Sequence, residues 1–416
     1  DNSTVSVMGR MLLKSQTIRS RYARLSERYA GWFVAIVLTI AGLTAAWWAF
    51  HDTSMLFSAT LAVLVISCPC ALSLATPAAI ASSSRALLEQ GVLLTRGVAL
   101  EIISSVDTVV FDKTGTLTTG SPTVVDTVIN PARAEYDQQR VLRIAAALEV
   151  DSSHPVAHAF SHVQVSRDTA RELNNFENGV QGRVADTTYR LGNAAFSKVS
   201  ATEIKSGLGR VWLSDEKGWI AYFDLDDGLR EAAADTIGAL RERELELIIL
   251  SGDHPSAVES VARRTGIDAW HAEQSPKMKM EFLENLQEKE RTVLMVGDGI
   301  NDAPVLAVAN ASMTVSGASE LANSAADFIL TDNSMIYVEN VFKSGLRTRH
   351  INRQNLLWAL AYNLSAVPFA AAGFIVPWMA ALGMSLSSLL VVLNSGRLAK
   401  RRPPVITLAR GEVVAI

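Results

Sequence analysis

Long uncharged apolar runs crowd the two ends of this 416-residue chain, and a mixed polar and apolar sequence fills its middle. Residues 31–50, 55–81, 356–375 and 378–398 each match a bilayer's width when helical. His51-Asp52-Thr53-Ser54 is too short for anything but a hairpin turn between spans, and the junction near Val376-Pro377 is shorter still. Two such hairpins put both ends and the middle on one side of a lipid bilayer. Arg19, Arg21, Arg24 and Arg28 precede the first span, and Lys400, Arg401 and Arg402 follow the last. Positive charge beside the spans makes that side cytoplasmic.

Residues 89–347 carry a different pattern. Strand-like runs at 108–111, 247–250 and 292–296 alternate with helical stretches at 230–244 and 278–290, the pattern of a parallel, doubly wound α/β sheet. Between about 123 and 222 the character changes to a helix-like stretch at 138–149 with shorter strands at 182–185 and 188–191, which reads as an inserted α+β module. Composition agrees with a membrane protein: 49% of residues are hydrophobic and only 19% charged. A net charge of −4 gives no electrostatic footprint for nucleic acid, so none is expected as a partner.

The chemistry is concentrated in short motifs. Asp112-Lys113-Thr114-Gly115-Thr116-Leu117-Thr118 follows the first of those strands, so its carboxylate is expected to project from a strand's C-terminal end, where open α/β sheets place ligands. An aspartate there can attack the γ-phosphate of ATP and carry it as an acyl phosphate. A bland strand-to-loop turn also favours Asp, Thr and Gly, but does not call for all seven residues in this order. Gly297-Asp298-Gly299-Ile300-Asn301-Asp302 sets two further acids at a strand-to-helix turn, and two acids beside a phosphorylatable aspartate suit Mg²⁺. Ser251, Gly252 and Asp253 end another strand, where a hydroxyl can bond a phosphoryl group. Lys279, with Lys277 as its neighbouring rival, can neutralise charge during transfer.

A separate motif lies in the membrane. Cys68-Pro69-Cys70, the only cysteines, sit in a run without charge. A disulfide is disfavoured for near neighbours in one helix, and two packed structural thiols are the other plain reading. The intervening proline breaks the helix and re-aims side chains. Such a break in a bilayer is tolerated where it is buried or lines a path. Thiolates there are soft ligands suited to Cu(I), with Zn(II) as competitor.

Together these motifs resemble those of the P-type ATPases, and Cys-Pro-Cys upstream of Asp-Lys-Thr-Gly-Thr resembles the heavy-metal (P1B) class. The resemblance implies a haloacid-dehalogenase-like phosphorylation domain with ATP and Mg²⁺ as cofactors. Asp112 would be the nucleophile. Asp298 would hold Mg²⁺ with Asp112 and the Thr114 carbonyl, with Asp302 in support. Lys113 would offer positive charge, while Thr116, Ser251, Gly252, Lys279 and Asn301 would position phosphoryl oxygens, and the Pro-x-x-Lys spacing selects Lys279 over Lys277. Ser152-Ser153-His154-Pro155, with Glu149 upstream, resembles the family's nucleotide site, with Ser153 where glutamate is usual. Gly179 and Gly182 fit its glycine loop, although Glu177 stands at the first glycine position, and Gly192-Asn193 fits the motif that follows.

Tyr362-Asn363 with Pro368, and Met384-Ser385 with Ser388, resemble the last-span motifs of the Cu(I)-selective subgroup. Zn(II) pumps of the class bring an intramembrane acid and lysine, which residues 356–396 lack. The resemblance therefore implies export of Cu(I), or Ag(I), from the cytoplasm of a bacterium across its inner membrane, with copper delivered by a cytoplasmic chaperone. Expected domains are a linker at 1–28, two spans in 29–88, the phosphorylation domain at 89–122 and 223–347, the nucleotide-binding insert at 123–222, two spans in 348–400 and a tail at 401–416. The chain is expected to be the carboxy-terminal portion of a longer pump, since the actuator's Thr-Gly-Glu loop is not in it. Three alternatives stand beside this reading: a Zn(II) or Cd(II) pump, a membrane-tethered phosphatase of the same superfamily, and a non-enzymatic copper-binding protein. Thr114 stands where such phosphatases carry a second acid.

Overall fold

A computed structural model describes residues 21–152, 155–166, 169–176, 178–199, 210–298, 302–332, 334–399, 405–407 and 413–415. In chain order the elements open with helices α1 (Arg21–His51), α2 (Thr53–Ile66) and α3 (Cys70–Leu88), strand β1 (Val92–Leu94), α4 (Val98–Ile103) and β2 (Thr108–Asp112). A π-type turn (Lys113–Leu117) leads into β3 (Thr118–Ile129), α5 (Gln138–Leu148), α6 (Pro155–Phe160), β4 (Ala170–Phe176), β5 (Gly179–Val184), β6 (Thr187–Gly192), β7 (Arg210–Asp215) and β8 (Gly218–Leu229). Then come α7 (Ala233–Arg241), β9 (Glu246–Leu250), α8 (Pro255–Thr265), β10 (Ala269–His271), α9 (Pro276–Glu288), β11 (Val293–Gly297), α10 (Ala303–Val308), β12 (Ala311–Thr314), α11 (Glu320–Ala325) and β13 (Phe328–Leu330). Two long helices follow, α12 (Ile336–Ala371) and α13 (Pro377–Gly396), with short antiparallel strands β14 (Val405–Thr407) and β15 (Val413–Ala415) after them.

Two compact units divide the chain. One contains the described residues up to Val110, Asp235–Glu246 and everything from Pro276; the other contains Phe111–Ala234 and Leu247–Ser275. In the first unit the strand order is β1-β13-β12-β11-β2, with β12 parallel to both β11 and β13. Strands β2 and β11 are buried along their whole length, as a strand covered by helices on both faces must be. Buried Asp327 receives Arg96 and the Ser312 amide (3.0 Å), which ties the segment after α3 to the sheet edge.

The helices of this unit carry the apolar ends of the chain. Val34–His51, Thr53–Leu88 and Pro377–Gly396 are the three stretches, among the described residues, long and apolar enough to cross a membrane. The fourth expected span is the distal half of the 36-residue α12, which runs without a break from Ile336. It stops at Ala371, whose carbonyl accepts a bond from the Trp48 indole at 2.9 Å. Ala71, Ala75, Ala79 and Ser83 form a buried stripe of small residues at four-residue spacing on α3. Small residues let helices approach closely, and polar groups then bond across the seam. Ser83 meets Thr348 at 2.6 Å, Asn352 donates to Thr76 at 3.1 Å, and Asn355 donates to Ser395 at 2.9 Å. Large side chains such as Leu38, Phe57, Leu364, Phe369 and Leu382 point outward, the arrangement lipid requires.

The second unit is built on a six-stranded antiparallel sheet of order β3-β8-β7-β6-β5-β4, and β9 and β10 form a parallel pair. Strands β3 and β8 are 12 residues each and pair from Thr118–Leu229 to Ile129–Ala221, so the expected boundaries of the insert fall inside them. Val141, Ile144, Ala145 and Leu148 give α5 one apolar face, which packs with Phe160, Leu191, Leu213 and Phe223. Arg133 forks onto Asp215 at 3.0 and 2.5 Å in the same body.

Candidate active site and ion path

Asp112 is the last residue of β2 and is buried. After it the backbone turns on Gly115 at φ +68, a left-handed conformation that favours glycine. This re-aims the chain from a buried parallel strand into β3. Lys113 is buried and pairs with Asp253 at 2.6 Å, and Thr114 donates its hydroxyl to the same carboxylate oxygen at 2.9 Å. Burial pushes the Asp253 carboxyl up, but the Lys113 ammonium and the Thr114 and Ser251 bonds outweigh it and hold the group below the usual carboxylate range. Ser251 is buried beyond β9, and its hydroxyl accepts from the Asp253 amide at 3.2 Å. A Cβ on Gly252 would meet nothing closer than the Gln274 carbonyl at 3.5 Å. The Thr116 hydroxyl is fully buried and has no hydrogen-bond partner among the described residues, a polar atom suited to an incoming oxygen-rich ligand.

A cavity of about 1320 Å³ opens within this unit. Lys113 and Asp253 line one part of it, and Glu149, Gly179, Gly192 and Asn193 line another. Gly179 and Gly192 face one another across β5 and β6. A Cβ on Gly179 would stand 2.4 Å from the Leu191 carbonyl, and one on Gly192 2.3 Å from that of Asn178. Close strand approach, then, dictates both glycines. Gly182 has a different role: it lies outside the lining, and its missing Cβ makes room for Leu173 and Leu148 of the core. Pro155 opens α6, while His154 and Asn301 lie outside the described residues.

In the first unit Lys279 and Asp302 form a buried ion pair at 2.9 Å. Lys277, its sequence rival, faces solvent beside Glu281 at 3.7 Å. Asp302 stands at the residue before α10, and Asp298 follows β11 with its carbonyl accepting from the Ser319 amide at 3.2 Å.

The same unit holds the ion-path residues. Helix α2 ends at Ile66 and α3 begins at Cys70, so Cys68 and Pro69 are outside regular helix. Cys68 and Cys70 are joined in a disulfide, contrary to the expectation that near neighbours in one helix disfavour it. Their Cα atoms stand 5.5 Å apart, a separation a bridge can span. Cys68, Tyr362, Asn363 and Met384 line one cavity of about 10 Å³, together with Pro69 and Ser387. Cys70 and Ser385 are not in that lining, and Ser385 donates to the Ala381 carbonyl of its own helix at 2.9 Å.

Residues 106–310 match the haloacid dehalogenase-like hydrolase family. Cation-transporting P-type ATPase B of Mycobacterium tuberculosis is 38% identical over 412 residues, spanning 94% of this chain and 54% of that protein. The copper-exporting P-type ATPase of Mycobacterium leprae is 36% identical, spanning 96% of this chain and 52% of its own length. A zinc-transporting PIB-type ATPase in its E2.Pi state superimposes with a TM-score of 0.79 at 27% identity, covering 96% of this chain and 68% of that one. The chain belongs to the heavy-metal class of P-type ATPases. It spans about half the length of the curated relatives it matches.

One residue of this P-type ATPase escapes the motif reading. Arg230, buried just beyond β8, donates to the Thr116 carbonyl at 3.1 Å and to the Gly115 carbonyl, while its amide donates to Leu117 at 2.9 Å. It pins the turn that follows Asp112 from 114 residues away in sequence. Arg230→Met should slow acyl-phosphate formation about 100-fold, the scale of misplacing a reacting group by an ångström, while leaving ATP affinity intact. Rapid-quench labelling beside an ATP titration measures both, and a wild-type labelling rate would remove the role.

Proposed function

We propose that this chain carries the phosphorylation, nucleotide and ion-path segments of an ATP-driven exporter of Cu(I), with Ag(I) as an alternative cargo, in a bacterial inner membrane. The observation that supports it most is the single cavity lined by both Lys113–Asp253 and the Gly179–Gly192 strand crossing, since a nucleoside triphosphate needs a phosphate end and a nucleoside end. An Asp112 carboxylate oxygen attacks the γ-phosphorus. The bond from phosphorus to the β,γ-bridging oxygen breaks, and ADP leaves with its electron pair. Lys113, held by Asp253, and Lys279 neutralise charge on the moving group, while Thr116, Ser251, Gly252 and Asn301 position its oxygens. Glu149, His154, Pro155, Gly179, Gly192 and Asn193 serve the nucleoside end; Gly182 acts through packing.

Three carboxylates and a carbonyl are hard donors that suit Mg²⁺. Asp112, Asp298, Asp302 and the Thr114 carbonyl would hold it, and when bound it supplies positive charge to the phosphoryl oxygens.

For the cargo, Cys68, Cys70 and Met384 offer soft sulfur, with Tyr362, Asn363 and Ser385 beside them. The metal-binding form has both thiols reduced. A cytoplasmic copper chaperone would deliver the ion. A Zn(II) or Cd(II) pump is the second reading, supported by the zinc-transporting structural relative. Against it, no Asp, Glu, Lys or Arg lies within 356–396 to accompany a divalent ion.

Incubation of the reduced chain with ATP labelled at the γ-phosphate tests the central step. The expected product is an acid-stable, hydroxylamine-labile phosphoprotein. Release of labelled phosphate without labelled protein would favour the superfamily phosphatase instead, and no reaction at all would leave only a metal-binding protein.

A further inference from the structure

We propose that Phe176 is the platform on which the base of the bound nucleotide stacks, so that this site reads a base by its ring face. The inference rests on the nucleotide reading of the large cavity. Phe176 closes β4 and is 54% exposed, and it lines the cavity among Asn175, Asn178, Gly179 and Asn193. A lone exposed phenylalanine is unremarkable in itself. What sets this one apart is its support.

Phe196 lies behind it with ring centroids 5.3 Å apart at 47°, a tilted aromatic pair that holds one side of the Phe176 ring. Phe196 is in turn seated where the two facing glycines lack side chains. A Cβ on Gly179 would stand 2.5 Å from its Cδ1, and one on Gly192 2.8 Å. Its amide is fixed by the Asn193 side chain at 2.8 Å. The glycines thus build a socket for Phe196, and Phe196 braces Phe176 at the cavity wall.

No other phenylalanine, tyrosine or tryptophan is found among the described lining residues. The Asn193 carbonyl oxygen that could read a base edge is already committed to the Phe196 amide. Ring overlap is the interaction Phe176 itself can offer, and every base has a π-face.

Titration of the full reduced chain with ATP, GTP and inorganic tripolyphosphate tests this in wild type, Phe176→Ala and Phe176→Trp. Removing the ring should weaken ATP and GTP alike by about 10-fold, the scale of losing one base–aromatic stack, and leave tripolyphosphate unchanged. Phe176→Trp should restore both nucleotides. Equal loss for tripolyphosphate would mark Phe176 as structural and overturn the proposal, as would unchanged ATP affinity in Phe176→Ala. Wild-type chain that binds no ATP would instead remove the nucleotide reading, and this inference with it.

Discussion

Asp112→Asn should leave the chain unlabelled by γ-labelled ATP while it still binds the nucleotide. The substitution keeps the shape of the side chain, so the buried end of β2 has little reason to repack. What it removes is the nucleophile: an amide has no carboxylate oxygen to form the acyl phosphate, and no neighbour in the Asp112–Thr118 heptad carries another acid. The expected loss is complete rather than graded. Labelling on acidic gels, read beside ATP titration of the same preparation, separates chemistry from binding. Labelling of Asp112→Asn at the wild-type level would remove the assignment.

Cys68→Ser or Cys70→Ser should abolish Cu(I)-stimulated ATP hydrolysis. Serine preserves size and the helix break but exchanges a soft, ionisable sulfur for a hard oxygen that stays protonated, and Cu(I) discriminates strongly between the two. Basal phosphorylation should survive, because Asp112 and Lys113 are untouched. Met384→Ala should weaken Cu(I) binding less than either cysteine change, since a thioether carries no charge. Stimulation by Zn(II) but not Cu(I) in the unaltered protein would overturn the copper reading and leave the class standing.

Much of this was legible in the sequence because the chemistry is local. The acyl-phosphate heptad, the Gly-Asp-Gly turn and the strand before each are contiguous, so period-2 and turn signals find them directly. Lys279 and Lys277 could be ranked only by motif spacing; the structure buries the first and exposes the second. What stayed hidden depends on distant partners. Arg230 looks like an ordinary basic residue after a strand until β8 is paired with β3. Phe176 reads as the end of a polar strand until Phe196 is folded behind it. Gly179 and Gly182 look alike in a loop motif, yet one allows strand contact at the cavity and the other gives way to Leu148.

The unbroken run of α12 has a mechanical consequence. A 36-residue helix is about 54 Å long, and its only internal proline, Pro368, sits three residues from its end. Gly345, near the proximal end, lies against Ile103 and the Leu100 carbonyl of α4, while Tyr362, near the distal end, lines the small cavity beside Cys68. Between those points the helix carries no proline and no break. A push or rotation at the α4 contact is therefore passed along one continuous helix toward Tyr362, which makes α12 a lever for the ion path rather than a passive wall of it.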